Sequence, residues 1–196
     1  MKAASQGRED ICSQIVGSSK EKNPAGVGGR TPLHEAAGEG HIEVCHLIVS
    51  NLEGKQNPAD NNGVTPLHEA ARYGHLDICR LIISNLEDKQ NPADNHGDTP
   101  LHWAAREGHQ AICRLIISHL DDNKNPTNSD GETPLHWAAR YGHLEVCRHI
   151  IANVDDVNPR SLEGDTPMDE AMGCNNVAQL FRDNGGIALT QEDEQD

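Results

Sequence analysis

The sequence repeatedly places histidine, glutamate and cysteine close together, and these residue types are common zinc ligands. The segment TPLHEAARYGHLDICRLI, residues 65–82, has two histidines, His68 and His75, with a glutamate and a cysteine nearby. A helical zinc site of the H-E-x-x-H type needs its histidines four residues apart, so that both lie on one face. Here they are seven residues apart, and Gly74, which favours a helix end, lies between them. The spacing argues against this site, and we predict no metal and no cofactor.

Other catalytic patterns are missing from the sequence. There is no G-x-S-x-G turn and no phosphate-binding loop that ends in Lys-Ser or Lys-Thr. The acidic pairs Asp121-Asp122 and Asp155-Asp156 follow predicted helices, in loops where charged residues are usually solvated. The sequence therefore predicts a protein that is not an enzyme and has no catalytic residues.

The charge of the chain limits its partners. It has 16 lysines and arginines against 31 aspartates and glutamates, a net charge of −15. So acidic a surface repels nucleic acid and anionic membranes, and we expect neither as a partner. The N-terminal MKAASQGRED has no apolar signal region, and no apolar stretch approaches 18 residues. Because the six cysteines do not resemble a secreted disulfide framework, we expect a cytoplasmic location, with the nucleus as the alternative.

The dipeptide Thr-Pro recurs at nearly constant intervals. Intervals of 34, 34, 34 and 33 residues separate its threonines, which are Thr31, Thr65, Thr99, Thr133 and Thr166. A glycine follows each of the first four at nine residues, and a cysteine follows at fourteen. A fixed period of this length predicts a solenoid, in which each unit buries its apolar face against its neighbours.

Each unit has the signals of two short helices and a turn. Thr65 is a good N-cap, Pro66 suits the first helical position, and Gly74 ends the first helix. A second helix is predicted to start near His75, and Asn85 is predicted to end it in a left-handed conformation. The residues expected to be buried in that helix are Leu76, Cys79, Ile82, Ile83 and Leu86.

The recurring TPLHEAA and TPLHWAA, each followed by GH and an aliphatic residue in most units, resemble the ankyrin repeat over residues 1–187. The resemblance implies an all-α fold, an ankyrin-repeat α-solenoid of about six helix-turn-helix units with β-turn or hairpin loops. The expected boundaries are an N-terminal capping repeat 1–23, repeats starting near 24, 58, 92 and 126, a C-terminal capping repeat 159–187, and an acidic disordered tail 188–196. Most loops carry one residue more than the usual 33-residue repeat.

The recurring histidines and cysteines then have structural explanations. The resemblance implies that the eight repeat histidines form hydrogen bonds within and between repeats. Neighbouring helices lie roughly 8–10 Å apart, farther than the roughly 7 Å that a disulfide spans, so we predict buried, unpaired repeat cysteines. His149 is an exception, because other repeats have leucine at that position, and the sequence gives no reason for it.

Positions at which the repeats differ are the candidates for function. In ankyrin proteins the turn tips and one side of the first helix line a concave binding groove, and the resemblance implies the same here. Counted from the repeat threonine, these positions are minus four, minus three, minus one, plus four, plus seven and plus eight. The predicted partner-binding residues are Asn61, Asn62, Val64, Glu69, Arg72, Tyr73, Asn95, His96, Asp98, Trp103, Arg106, Glu107, Ser129, Asp130, Glu132, Trp137, Arg140 and Tyr141.

Four of the five aromatic residues are in that set, and three arginines share position plus seven. Tryptophan, tyrosine and arginine are enriched at binding hot spots. We therefore predict a monomeric module that binds a protein partner, suited to a segment with apolar and acidic residues. The competing interpretation is that the arginines only pair with nearby glutamates such as Glu39, Glu69 or Glu107, while the tryptophans only cover the neighbouring repeat.

Four other roles stay open at this stage. The chain could be a structural or self-associating solenoid, or an enzyme with an unrecognised metal site. It could also bind nucleic acid through the arginine row, or be an engineered, consensus-like scaffold.

Overall fold

The structure is a computed structural model of the 196-residue chain. It describes residues 1–18, 23–52, 57–86, 92–120, 124–171 and 173–188. Residues 189–196, which make up nearly all of the expected acidic tail, lie outside these ranges. So does part of each loop in which an inserted residue was expected.

Twelve α-helices form six consecutive pairs in the described ranges, which contain no β-strand. The first helices of the pairs are α1 (Lys2–Ser5), α3 (Pro32–Glu39), α5 (Pro66–Tyr73), α7 (Pro100–Glu107), α9 (Pro134–Arg140) and α11 (Pro167–Glu170). The second helices are α2 (Glu9–Ser18), α4 (Ile42–Ser50), α6 (Leu76–Ser84), α8 (Gln110–His119), α10 (Leu144–Ile151) and α12 (Asn175–Asp183). The predicted all-α, helix-turn-helix architecture is confirmed. None of the described helices has the length and apolar character needed to cross a bilayer.

The chain divides into two compact units, unit 1 (Met1–Asn95) and unit 2 (His96–Asp196). In unit 1 the first helices α1, α3 and α5 pack side by side, and the second helices α2, α4 and α6 form a layer behind them. Unit 2 repeats this arrangement with α7, α9 and α11 in front of α8, α10 and α12. The outer side of the first-helix layer, together with the turn tips beside it, is called the first-helix face of each unit.

A threonine and a histidine begin each of the first helices α3, α5, α7 and α9. In α3 the backbone N–H of Thr31 donates to His34 Nδ1 at 3.1 Å. Because Nδ1 is an acceptor, the proton is on Nε2, which donates to the backbone carbonyl of Val64 in the next repeat at 2.9 Å. Burial lowers the pKa of His34, which keeps the ring neutral. The prediction of histidine bonds within and between repeats is confirmed.

The second set of repeat histidines bonds backward along the chain. His75 Nε2 lies 3.0 Å from the carbonyl oxygen of Gly38, and His41 Nε2 lies 3.1 Å from that of Ser5. The ring of His75 packs on Gly40, where an added Cβ would come within 2.6 Å of it. Gly40 also has φ +80°, so both its conformation and this close approach require glycine. These contacts tie successive first helices together.

Two expectations about the second helix of the unit were wrong. Asn85 has φ −107° and is not left-handed; its side-chain amide instead donates to the carbonyl of Leu81 at 2.8 Å, which satisfies a terminal acceptor of α6. The buried face of α6 is also rotated from the expected one, because the helix packs against both its own first helix and α4. Its buried residues are Ile78, Cys79, Leu81 and Ile82, whereas Leu76, Ile83 and Leu86 are partly exposed.

The turn tips are joined by backbone hydrogen bonds within each unit. In unit 1 the Asn61 N–H donates to the carbonyl of Gly28 at 2.8 Å. In unit 2 the Ser129 N–H donates to the His96 carbonyl at 2.9 Å, and Leu162 donates to Asp130 at 2.8 Å. A buried polar residue closes several of the turns, as when Asn128 Oδ1 accepts from the N–H groups of the tip. The tip side chains are therefore presented from a bonded row rather than from loose loops.

Candidate partner-binding surface

The structure exposes most of the eighteen predicted binding residues. Twelve are exposed: Asn61, Asn62, Arg72, Tyr73, Asn95, His96, Arg106, Glu107, Ser129, Asp130, Arg140 and Tyr141. Trp103, Glu132 and Trp137 are partly exposed. Val64, Glu69 and Asp98 are buried, so they are corrected from surface residues to structural ones.

Local bonding explains why these three are buried. The Val64 carbonyl accepts from His34, which holds this residue against the first-helix layer. Asp98 Oδ1 accepts from the Asn128 side-chain amide at 2.8 Å, so its carboxylate is used inside unit 2. Glu69 belongs to a charge cluster. At these three positions the local bonding, and not the position in the repeat, determines the burial.

The charge cluster of unit 1 is built around Arg30. Its Nε donates to Glu35 Oε1 at 2.8 Å, and its Nη1 donates to Glu69 Oε1 at 2.5 Å. The carboxylate of Asp60 lies 3.9 Å from the same guanidinium. Burial lowers the pKa of Arg30, but the hydrogen bonds to Glu35 and Glu69 outweigh it and leave the pKa raised. The guanidinium therefore bridges two first helices, α3 and α5, and neutralises a buried carboxylate.

Arg72 and Tyr73 are the exposed hot-spot residue types of unit 1. The guanidinium carbon of Arg72 lies 5.4 Å from the centre of the Tyr73 ring, and Tyr73 is 53% exposed. Both residues lie in the last turn of α5. They provide a small aromatic and cationic patch.

Unit 2 carries a larger aromatic cluster around Arg106. The guanidinium carbon lies 5.5 Å from the ring centre of Trp137 and 5.7 Å from that of Tyr141. Tyr141 is 49% exposed and stacks on His143, with 6.4 Å between the ring centres. The edge of Trp137 packs on His102 at 6.0 Å. The cluster thus joins α7 and α9 and presents aromatic surface to solvent.

A second arginine of this face, Arg140, is held between two glutamates. Its Nε donates to Glu170 Oε2 at 2.7 Å, and its Nη2 donates to the other oxygen of the same carboxylate. On the opposite side Nη1 lies 3.4 Å from Glu132 Oε2, and Nη2 donates to Glu132 Oε1. Glu132 also accepts from Trp137 Nε1 at 2.6 Å. Fork-shaped pairing of this kind fixes the orientation of the guanidinium.

Both glutamate and arginine in this group stay charged at neutral pH. Burial raises the pKa of Glu132, but the hydrogen bonds from Arg140 and Trp137 outweigh it, so the pKa is lowered overall. The hydrogen bond to Glu170 raises the pKa of Arg140 further above its ordinary value. The group therefore carries two negative charges and one positive charge.

The competing interpretation of the arginines is correct in part. Arg106 pairs with Glu107 at 3.7 Å, and Arg140 pairs with Glu132 and Glu170. The plus-seven arginines of unit 2 are therefore not free cations, although they lie among exposed aromatic rings. Arg30, Glu35 and Glu170 lie outside the central repeats from which the binding residues were predicted. Opposite charges at positions minus one, plus four and plus seven were the signal that could have identified them.

The cysteines offer little chemistry. The four repeat cysteines, Cys45, Cys79, Cys113 and Cys147, are buried and form no disulfide, as predicted, and the other two cysteines form none either. Burial raises the pKa of Cys45, Cys79 and Cys147 to about 12, which keeps these thiols protonated and unreactive at neutral pH. The described residues include no group of three histidine, cysteine or acidic side chains arranged to hold a metal ion.

The chain belongs to the ankyrin repeat family. The family described as "Ankyrin repeats (3 copies)" matches it in three overlapping stretches, residues 1–93, 59–126 and 120–193. Ankyrin repeats are in general protein–protein interaction modules and are in general not catalytic. No match was found among curated proteins.

Proposed function

We propose that this chain is a non-catalytic interaction module that binds a protein partner chiefly through the first-helix face of unit 2. The observation that supports it is the exposed cluster of Arg106, Trp137 and Tyr141. The chain has five Phe, Trp and Tyr residues, and among the described residues Phe181 is the one of these that is buried. The rest of the apolar core is built from leucine, isoleucine, valine, alanine and cysteine. These aromatic rings are therefore not needed for the core, and their position suits contact with a partner.

The turn tips beside this cluster belong to the same proposed surface. His96, Ser129 and Asp130 are exposed and are held in a bonded row. Such a row offers side chains that pay little ordering entropy on binding. In unit 1 the proposed surface is smaller and consists of Arg72 and Tyr73 with the tip residues Asn61, Asn62 and Asn95.

We also propose that the protein works as a monomer in the cytoplasm or the nucleus. Six unpaired thiols suit a reducing compartment. The net charge of −15 disfavours close association of two copies.

The test is a pull-down from the source cells with mass spectrometry, using three baits. The baits are the wild type, Arg106→Ala/Tyr141→Ala, and the control Arg114→Ala/Arg148→Ala, whose changes lie on exposed positions of second helices. Trp137 is left unchanged because its hydrogen bond to Glu132 gives it a structural role. We expect a partner that the wild type and the control retain and the Arg106/Tyr141 variant loses. Identical partner lists for all three folded baits would refute the proposed surface.

A further inference from the structure

The partner chemistry of the unit 2 face depends on which of its charges remain available. Arg140 directs its guanidinium hydrogen bonds to Glu132 and Glu170 on its two sides. A carboxylate from a partner could reach this guanidinium only by displacing one of them. Because two carboxylates face one guanidinium, the group keeps a net charge of −1.

Arg106 is also compensated. Its side chain lies across Trp137 and Tyr141, and Glu107 is 3.7 Å away. By contrast, the exposed turn-tip carboxylates Asp130 and Glu163 form no ion pair among the described residues. The face therefore has unpaired negative charge, whereas the guanidinium groups of Arg106 and Arg140 are both paired.

The net charge of the first-helix face of unit 2 is also negative. The face has two cations, Arg106 and Arg140, and five carboxylates, which gives a net charge of −3. The carboxylates are those of Glu107, Asp130, Glu132, Glu163 and Glu170. The opposite charges of Asp165 and Arg160 beside the last turn cancel and leave this net charge unchanged. Arg160 Nη1 donates to the Gly164 carbonyl at 2.9 Å.

We infer that the first-helix face of unit 2 takes a protein segment carrying lysine or arginine next to an apolar side chain. A long basic side chain matches both features of the face: its aliphatic stem packs on Tyr141 and Trp137, and its charge meets the carboxylates of the turn tips. This inference rests on the proposed function and replaces the acidic segment that the arginine row suggested from sequence. Charge complementarity of this kind chooses among partners and speeds their encounter.

The experiment selects a displayed library of random twelve-residue peptides on three immobilised proteins. They are the wild type, Glu132→Gln/Glu170→Gln, and the control Glu145→Gln/Asp183→Asn, whose changes lie at exposed positions of second helices in the same unit. Both variants lose two negative charges, so the long-range attraction of cations is matched. Glutamine at position 132 can still accept the hydrogen bond from Trp137 Nε1.

The measured quantity is the ratio of lysine plus arginine to aspartate plus glutamate among the enriched peptides. We expect a high ratio for the wild type and the control. For Glu132→Gln/Glu170→Gln we expect at least a threefold lower ratio, because Arg140 is then free to attract carboxylates. Binding of selected peptides should also change the fluorescence of Trp103 and Trp137, the two tryptophans of the chain, which lie on α7 and α9.

Three results would overturn the inference. The same high ratio on all three proteins would mean that bulk charge alone selects the peptides. An excess of acidic peptides that perturb tryptophan fluorescence would reverse the partner chemistry and leave the proposed surface standing. No enrichment on the wild type would refute recognition of short basic segments, while the pull-down would still decide the proposed function.

Discussion

The first-helix faces of units 1 and 2 contain the same ion-pair arrangement, but the surface around it differs. Each places one arginine between two glutamates that come from neighbouring repeats: Arg30 in unit 1 and Arg140 in unit 2. In unit 1 position plus four is glutamate, so Glu35 and Glu69 fill the face and Glu69 is buried. In unit 2 position plus four is tryptophan in α7 and α9, and the two glutamates are Glu132 at position minus one and Glu170 at position plus four of α11.

This difference teaches how a repeat scaffold acquires a function. His34 in unit 1 and His136 in unit 2 make equivalent hydrogen bonds to the next repeat, and the difference between the two faces comes largely from position plus four of the first helix. Where that position is acidic, the arginine holds the repeats together and little apolar surface remains. Where it is aromatic, the arginine offsets only part of the acidic charge and the rings remain exposed. We therefore propose that partner binding falls mainly on unit 2.

The largest expected effect on stability tests whether the histidine hydrogen bonds of units 1 and 2 are equivalent. We expect His34→Ala in unit 1 and His136→Ala in unit 2 each to lower the free energy of unfolding by about 3 kcal/mol. Each change removes a bond to the next repeat, to Val64 or Asp165, and leaves a buried threonine N–H without its acceptor. Urea unfolding of the two variants checks this. A loss above about 1 kcal/mol in one and none in the other would show that these hydrogen bonds are not equivalent.

The repeat architecture also shows how much of the structure could be predicted from the sequence. The repeat period, the threonine caps and the paired helices followed from local signals that recur in every unit, so the fold was predictable. The burial of Glu69 was not predictable, because its partner Arg30 is 39 residues away in the chain. The rotated face of α6 and the conformation of Asn85 also depended on packing and side-chain bonds that periodicity does not contain. The exposure of most candidate residues was thus predictable from their position in the repeat, while the charge balance of the face required the structure.

A smaller effect on stability should distinguish the Arg30 cluster from the Arg140 cluster. We expect Arg30→Met to destabilise the protein by about 2 kcal/mol and Arg140→Met by about 1 kcal/mol. Replacing Arg30 leaves Glu69, whose side chain is 8% exposed, without its cation. The partners of Arg140, Glu132 and Glu170, are 15% and 16% exposed, so water hydrates them better when they are unpaired. Urea midpoints at equal ionic strength provide the measurement. An equal or larger loss for Arg140→Met would contradict the distinction drawn between the units.

The smallest effect concerns His149, which replaces the leucine found at the equivalent position, Leu81, in unit 1. Its Nε2 is buried and has no hydrogen-bond partner among the residues that the structure describes. We expect His149→Leu to stabilise the protein by about 1 kcal/mol at pH 7.5, because an unsatisfied polar group is removed. Thermal or urea unfolding of the variant, with His46→Leu at an exposed position of α4 as the control, checks the sign.

The benefit of His149→Leu should also grow on acidification. Burial, aided by the charge of Arg114, lowers the pKa of His149 in the folded protein. The unfolded chain therefore takes up this proton first, and the wild type loses stability as the pH falls below about 6.5. The difference between variant and wild type should be larger at pH 5.5 than at pH 7.5. A difference that shrinks would show that the ring is stabilised when protonated.

The most direct test of the central claim measures the affinity of the captured partner for two matched double variants. Arg106→Ala/Tyr141→Ala removes the exposed arginine and tyrosine of unit 2, and Arg72→Ala/Tyr73→Ala removes the equivalent pair of unit 1. If unit 2 is the main binding surface, its variant should raise the Kd at least about tenfold while the unit 1 variant changes it less than about threefold. Equal losses, or a larger loss for the unit 1 variant, would contradict the assignment.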